Sequence, residues 1–274
     1  MLKEAVAGIL SEKETEDLYG AFDQVGDIII LRIPDSLVSK KKTIGKILLE
    51  KVKTAKSVFY QSSPVSGDFR TRKLELLAGE DKTETEYKEH GCRFKVDVEN
   101  AFFSPRLSTE RNRIANLIKD GETVINMFGG VGMFSIIAAK KKKCVVYNID
   151  INPSATKLCE QNIKLNKLVG KVESLTGDAV KIIEEQLSGK GDRVLMLLPE
   201  KSDEFLDVAI KAAKKNGIIH YYCHIHGDKK NEVGRIAKEH FLEVMKIKTE
   251  ILGSKIVRPV GPRFYQAVVD AKLL

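Results

Sequence analysis

Three short segments of this chain carry residues whose types and spacing suit the binding of a nucleoside. The first is Val124-Ile125-Asn126-Met127-Phe128-Gly129-Gly130-Val131-Gly132, an apolar run that enters a glycine turn and then a helix beginning at Met133. Glycine lets the backbone approach a ligand closely, and the first turn of a helix presents unpaired N–H groups beside it. Many nucleotide-binding folds share such a loop. The second is Asn148-Ile149-Asp150-Ile151-Asn152-Pro153, which ends the next apolar run on an acid. Roughly 20 residues separate it from the glycines, the distance at which a carboxylate can accept both hydroxyls of a ribose. Asp150 also suits a turn or a helix N-cap. The third is Gly177-Asp178-Ala179, where a carboxylate can accept from the exocyclic amine of adenine or can cap a helix. Three successive strand ends bearing Gly, Asp and Asp predict an adenosyl cofactor. A dinucleotide fits less well, because Ser135 stands where the last glycine of a G-x-G-x-x-G loop would fall.

The elements that must position these segments alternate. Helix Ser108 to Ile118 precedes strand Thr123 to Met127, and strand Cys144 to Ile149 precedes helix Ser154 to Leu165. A strand from Val172 to Leu175, a helix from Val180 to Gln186, a strand from Arg193 to Leu198 and a helix from Asp203 to Lys215 follow. Strand Gly217 to Cys223, helix Asn231 to Glu239 and two terminal strands, Leu242 to Lys248 and Tyr265 to Ala271, complete the chain. This spacing predicts an α/β fold with a mostly parallel, doubly wound sheet, closed at one edge by an antiparallel hairpin. Residues 101–274 form that domain. Residues 1–100 read as a small α+β domain, with a polar helix from Leu2 to Leu18, a strand from Phe22 to Ile33 and a helix from Lys40 to Lys53. Short strands over Val58 to Tyr60, Arg72 to Leu77 and Arg93 to Val98 complete it.

Composition narrows the class. The 274 residues are 43% hydrophobic and 31% charged, as in ordinary globular proteins. The apolar runs are too short to span a membrane, and the amino terminus lacks a signal pattern, which places the chain in the cytoplasm. Cys92, Cys144, Cys159 and Cys223 are scattered without a C-x-x-C pair, so free thiols are expected. His220, His224 and His226 alternate along one strand but lack a spaced acid, so no metal is expected. A net charge of +8 and a pI near 9.1 favour a polyanionic partner such as nucleic acid.

Phe103-Ser104-Pro105-Arg106-Leu107-Ser108-Thr109-Glu110-Arg111, together with Met127 to Ser135, resembles the archaeal and eukaryotic tRNA (guanine-37-N1)-methyltransferase family. The likeness continues in Phe69-Arg70-Thr71-Arg72-Lys73-Leu74-Glu75, in Ala78 to Thr85, in Gly217 to Tyr222 and in Gly261-Pro262-Arg263. It covers about residues 20 to 272. The resemblance implies a Rossmann-like class I methyltransferase domain, S-adenosylmethionine as cofactor and tRNA as partner, with a monomer favoured. Phe128, Gly129, Gly130, Gly132, Asp150, Ile151, Asp178 and Pro199 are the cofactor-binding residues that follow. Glu110 is the implied general base at guanine N1, and Arg70 the cation at guanine O6. Arg106 supports the same site or a phosphate. The chemistry needs a base and a cation, because N1 carries a proton at neutral pH and the base becomes an anion when that proton leaves. The sulfonium already activates the methyl group, so the transfer needs no metal.

Taken without the resemblance, Glu110 also suits the first turn of a helix, and Arg70 a polar surface turn. The family's further amino-terminal domain finds no room here, so substrate grip is expected from the small domain and the basic surface. Asn126 stands where the family has Asp, and Leu197-Leu198-Pro199 stands where it has Asn-Leu-Pro. Leucine makes no hydrogen bond to a target base. Three readings follow: a guanine-N1 methyltransferase, a wyosine-pathway aminocarboxypropyltransferase using the same cofactor, and a tRNA-binding homologue without chemistry.

Overall fold

Gly26 shapes the start of the chain. At φ +55° it takes a left-handed conformation that side chains rarely adopt, and an added Cβ would lie 2.2 Å from Thr85 Oγ1. The single strand expected from Phe22 to Ile33 therefore becomes a hairpin of β1 (Asp23–Val25) and β2 (Ile28–Leu31). The structure, a computed structural model, describes residues 3, 6, 10–19 and 22–274. Much of the helix expected from Leu2 to Leu18 lies outside those residues. Within them α1 (Glu12–Asp17) starts at a capping box between Ser11 and Glu14. The chain divides into two units between Pro105 and Arg106.

In the first unit, α2 (Lys41–Lys51) crosses from β2 to β3 (Ser57–Gln61), which pair in parallel. β4 (Leu74–Gly79) adds antiparallel to β3, completing the order β1-β2-β3-β4. Ile44, Ile47 and Leu48 give α2 its buried face. Gly45 brings the helix close to β4, since a Cβ there would lie 2.4 Å from Leu77 Cβ. A separate hairpin joins β5 (Glu84–Glu89) and β6 (Cys92–Asp97). β5 is unexpected from the sequence. Its charged residues conceal an alternation in which Thr85 is buried and Tyr87 half-buried.

The second unit is built on a seven-stranded sheet. Its strands are β7 (Thr123–Asn126), β8 (Val145–Asp150), β9 (Lys171–Thr176), β10 (Gly191–Met196), β11 (Ala213–His226), β12 (Thr249–Gly261) and β13 (Phe264–Leu273). The order is β12-β13-β11-β10-β7-β8-β9. β7 to β11 run parallel, while β13 is antiparallel to both β11 and β12. The doubly wound sheet closed by a hairpin is thus as expected. The helices are α3 (Ser108–Leu117), α4 (Met133–Lys141), α5 (Pro153–Leu165), α6 (Ala179–Ile182), α7 (Ser202–Ala212) and α8 (Val233–Val244). A π-turn, Ile183–Leu187, prolongs α6.

Two boundaries differ from the sequence reading. The strand expected over Leu242 to Lys248 is not there. Val233, Ala237 and Phe241 recur at helical spacing and are fully buried, which carries α8 to Val244 and leaves Leu242 exposed. The strand is instead β12, seven residues later at its start. The helix expected to reach Lys215 stops at Ala212, and β11 begins at Ala213 with Asn216 at φ +62°.

Alternation along β11 sorts its side chains between two layers. Tyr221 packs on Phe241 of α8, with ring centroids 5.2 Å apart, whereas the hydroxyl of Tyr222 reaches Glu110 of α3. Among the described residues, no helix is long and apolar enough to cross a membrane.

Candidate active site

The loop after β7 is shaped by contacts that exclude side chains. Gly129 N–H donates to Ile149 O at 2.7 Å, and an added Cβ would lie 2.1 Å from Asn148 Oδ1. Asn148 is itself fixed by Ser135 Oγ at 2.6 Å, and its amide donates to Gly130 O at 3.3 Å. Gly130 and Gly132 take φ of +54° and +88°. At Gly132, the residue before α4, a Cβ would meet Cys159 Sγ at 2.5 Å. The expected helix start at Met133 is therefore set by close packing as well as by glycine's conformational freedom.

Asp150 lies at the tip of β8 and ties that strand to the loop. Its two carboxylate oxygens accept from Gly130 N–H at 2.7 Å and from Asn152 N–H at 2.9 Å. Burial pushes the carboxyl up from its usual range, and the two N–H donors pull against that shift. Each oxygen keeps a second lone pair, so a diol can be accepted without breaking either bond. Beside it Ile151 is 43% exposed, an apolar face left at a strand tip. Phe128, half-buried, meets Phe205 edge-on at 5.0 Å. Asp178 accepts from Val180 N–H at 2.7 Å and Lys181 N–H at 3.3 Å, so it caps α6 whatever else it does. Half-buried Pro199 lies in the turn between Leu198 and Lys201, just past β10. Asn126 is fully buried, and among the described residues its Oδ1 is a buried acceptor with no hydrogen-bond partner. Apolar tips, a glycine backbone without side chains and a carboxylate with spare lone pairs together fit an adenosyl group.

A second group of polar side chains lies between α3 and the sheet. Glu110 is 4% exposed. Its Oε1 accepts from Tyr222 Oη at 2.6 Å and from Arg113 Nη2 at 2.6 Å, and its Oε2 accepts from Arg113 Nε at 2.9 Å. Lys255 Nζ lies 3.8 Å from Oε2. Arg113 also reaches Asp270, with Nη1 to Oδ2 at 2.5 Å and Nη2 to Oδ1 at 3.2 Å. Asp270 Oδ1 in turn contacts His220 Nδ1 at 2.6 Å, and His220 Nε2 lies 3.2 Å from Arg193 Nη1. Arg193 closes the chain on Glu122 at 2.6 Å.

Burial alone would weaken the Arg113 cation, but its forks to the two carboxylates more than offset this and hold its proton more tightly. Burial likewise opposes the Asp270 anion, and His220 and Arg113 outweigh it, holding the carboxyl well below its usual range. His220 shifts down, because full burial disfavours the imidazolium. Tyr222 is pushed far up by burial and by the Glu110 charge beside it.

The remaining expected residues fall elsewhere. Arg106 is exposed, in a 3-10 turn (Pro105–Leu107) directly before α3. Arg70 belongs to the first unit. Its backbone is left-handed at φ +51°, uncommon for arginine, and its guanidinium lies 4.2 Å from the centroid of the Phe102 ring. Leu197, half-buried, directly follows β10. His224 and His226 pack on Phe264, and among the described residues no three His, Cys, Asp or Glu side chains group as a metal site. All four cysteines are free and buried, and burial pushes the Cys159 and Cys223 thiols up to about 12. Sequence reasoning missed Arg113, Tyr222, Asp270 and Asn148. Only Arg113 carried a signal, lying three residues from Glu110 on one helix.

Charge is divided unevenly. Residues 1–105 carry 17 basic and 18 acidic side chains, and residues 106–274 carry 29 and 20. The basic surplus thus belongs entirely to the second unit.

Residues 85–247 match the TRM5/TYW2 methyltransferase domain, and residues 2–83 match the TYW2 N-terminal domain. The chain is 40% identical to the tRNA (guanine(37)-N(1))-methyltransferase Trm5b of Pyrococcus abyssi, across 92% of this chain and 74% of that protein. It is 37% identical to the tRNA 4-demethylwyosine(37)-methyltransferase Taw21 of Saccharolobus solfataricus, across 95% of this chain and 96% of that one. Its fold also matches an aTrm5 chain solved in complex with tRNALeu, with a TM-score of 0.85 at 37% identity, covering 100% of this chain and 78% of that chain.

Proposed function

The chain belongs to the TRM5/TYW2 methyltransferase family, and on that footing we propose that it moves a methyl group from S-adenosylmethionine to N1 of guanine 37 in tRNA. The observation that carries this reading is Glu110: a buried carboxylate, fixed by Tyr222 and Arg113, in the same unit as the glycine loop. Guanine N1 must lose its proton as it is alkylated, and a fixed carboxylate takes that proton without the cost of reorganising in water. Bound at the strand tips, the cofactor supplies a methyl group activated by its sulfonium. Asp150 would hold its ribose, Gly129, Gly130 and Gly132 would let it approach the backbone, Ile151 and Phe128 would offer it apolar surface, and Asp178 and Pro199 would meet the adenine. Arg106 takes a phosphate of the tRNA. The basic surplus of residues 106–274 draws the polyanion in.

Two observations favour the aminocarboxypropyl reading instead. Leu197 offers no hydrogen bond where the family has asparagine, and residues 2–83 match the TYW2 N-terminal domain. Two labels separate the readings. The purified protein is given tRNA carrying either an unmodified guanine or 4-demethylwyosine at position 37, and cofactor labelled either on the methyl or on the amino-acid chain. Methyl label in RNA is the expected outcome. Chain label would replace methyl transfer by aminocarboxypropyl transfer, and no label in RNA would leave a binding protein. Glu110→Gln should lower single-turnover methyl transfer by about 10²–10⁴-fold with cofactor affinity little changed.

A further inference from the structure

The polar groups around Glu110 do more than hold it still. Arg113 is a permanent cation with only donors, and it divides its fork between two carboxylates: two bonds to Glu110, at 2.9 and 2.6 Å, and two to Asp270, at 2.5 and 3.2 Å. The protonation of the next member follows from the same logic. Arg193 can only donate, so His220 Nε2, 3.2 Å away, accepts from it. His220 is then neutral, with its hydrogen on Nδ1, and it donates to Asp270 Oδ1 at 2.6 Å. Its downward shift agrees with this.

Counting charges, Arg193 and Glu122 cancel at 2.6 Å. Glu110, Arg113 and Asp270 leave one surplus negative charge, buried between α3 and the sheet. The groups that face Glu110 are Arg113 from its own helix, Tyr222 from β11 and Lys255 from β12. Asp270 of β13 acts on it through Arg113. Lys255 is half-exposed, and its ammonium, 3.8 Å from Glu110 Oε2, only partly offsets the surplus. A carboxylate that had the Arg113 guanidinium to itself would be a poor base, since an unshared bidentate cation stabilises the anion over the acid; here the same cation also serves Asp270.

We propose that Asp270 is a positioning residue that sets the basicity of Glu110: it shares the Arg113 guanidinium and cancels its charge, so that the carboxylate which must accept the guanine N1 proton is not held as an anion by an unshared cation. This rests on Glu110 being the base. No covalent step is added: the proton moves from N1 to Glu110, and Arg113 and Asp270 stay charged throughout.

The test is the pH dependence of single-turnover methyl transfer at saturating cofactor and tRNA. Asp270→Asn removes the competing anion, so the acid limb of the profile should move to lower pH by about one unit and the plateau should fall about tenfold. Arg113→Gln should move the limb the opposite way by about one unit, and Lys255→Met should move it the same way by less. Cofactor affinity and the KM for tRNA in Asp270→Asn should stay at wild-type values. Opposite shifts are the signature, because a purely structural role lowers the rate without moving the limb in opposed directions. Limbs that coincide with wild type, or that move together in Asp270→Asn and Arg113→Gln, overturn the proposal. Where either buried variant fails to fold, Lys255→Met decides: an unmoved limb overturns it. Wild-type rates in Glu110→Gln would instead remove the base itself, an outcome distinct from any pattern of limbs.

Discussion

The glycine loop and the ionic cluster lie in the same unit and are built by different physics. The loop is a matter of backbone shape. Its ties run between residues close in the chain, with Gly130 and Asp150 separated by 20 positions and Gly130 and Asn148 by 18. The cluster is a matter of charge balance, and its ties are long: Tyr222 and Glu110 lie 112 positions apart, Arg113 and Asp270 157. A shape of that kind fails when an atom is added. A charge balance fails when an atom is removed. One unit therefore contains a region that refuses added volume beside a region that refuses a missing charge.

That contrast can be broken most sharply at Arg113. Arg113→Ala leaves two buried carboxylates facing one another and should cost about 3–5 kcal/mol in urea unfolding. A cost below about 1 kcal/mol would mean that water already reaches the cluster. Gly129→Ala probes the other region, where the new Cβ first meets the Asn148 side chain, 2.1 Å away. It should cost about 1–3 kcal/mol and lose most cofactor affinity by calorimetry, and unchanged affinity would uncouple the loop from binding.

Acid should separate the regions next. His220 has a lowered folded pKa, so its contribution is present above the ordinary imidazole value of 6.5 and is lost as pH falls below it. Asp270 is also lowered, and its contribution is lost as pH falls below the ordinary 3.8. Stability should thus decline in two stages, and His220→Asn should flatten the first. The smallest effect is expected at Asp178. Asp178→Ala should cost about 1 kcal/mol as a lost cap, and about tenfold in cofactor affinity if the carboxylate also meets adenine. Loss of stability alone would reduce it to a cap.

Local grammar made much of the second unit legible: the alternation of strands and helices, the glycine loop, and the acids at the tips of β8 and after β9 all follow from neighbours in the chain. The same grammar failed where burial overrode it. Leu242 reads as the start of a strand, yet Phe241 beside it is drawn into the core and keeps the helix going. β5 was hidden because its buried Thr85 is not apolar. Glu110 could be picked out by its surrounding string but not by its environment. Which groups would share its charge depended on the register that sets His220 opposite Asp270 across β11 and β13, and on Lys255 falling opposite Val268 on β12. Periodicity acts over a few residues, whereas a buried carboxylate responds to whatever charge lies within a few ångströms. Only the closed sheet decides which charges those are.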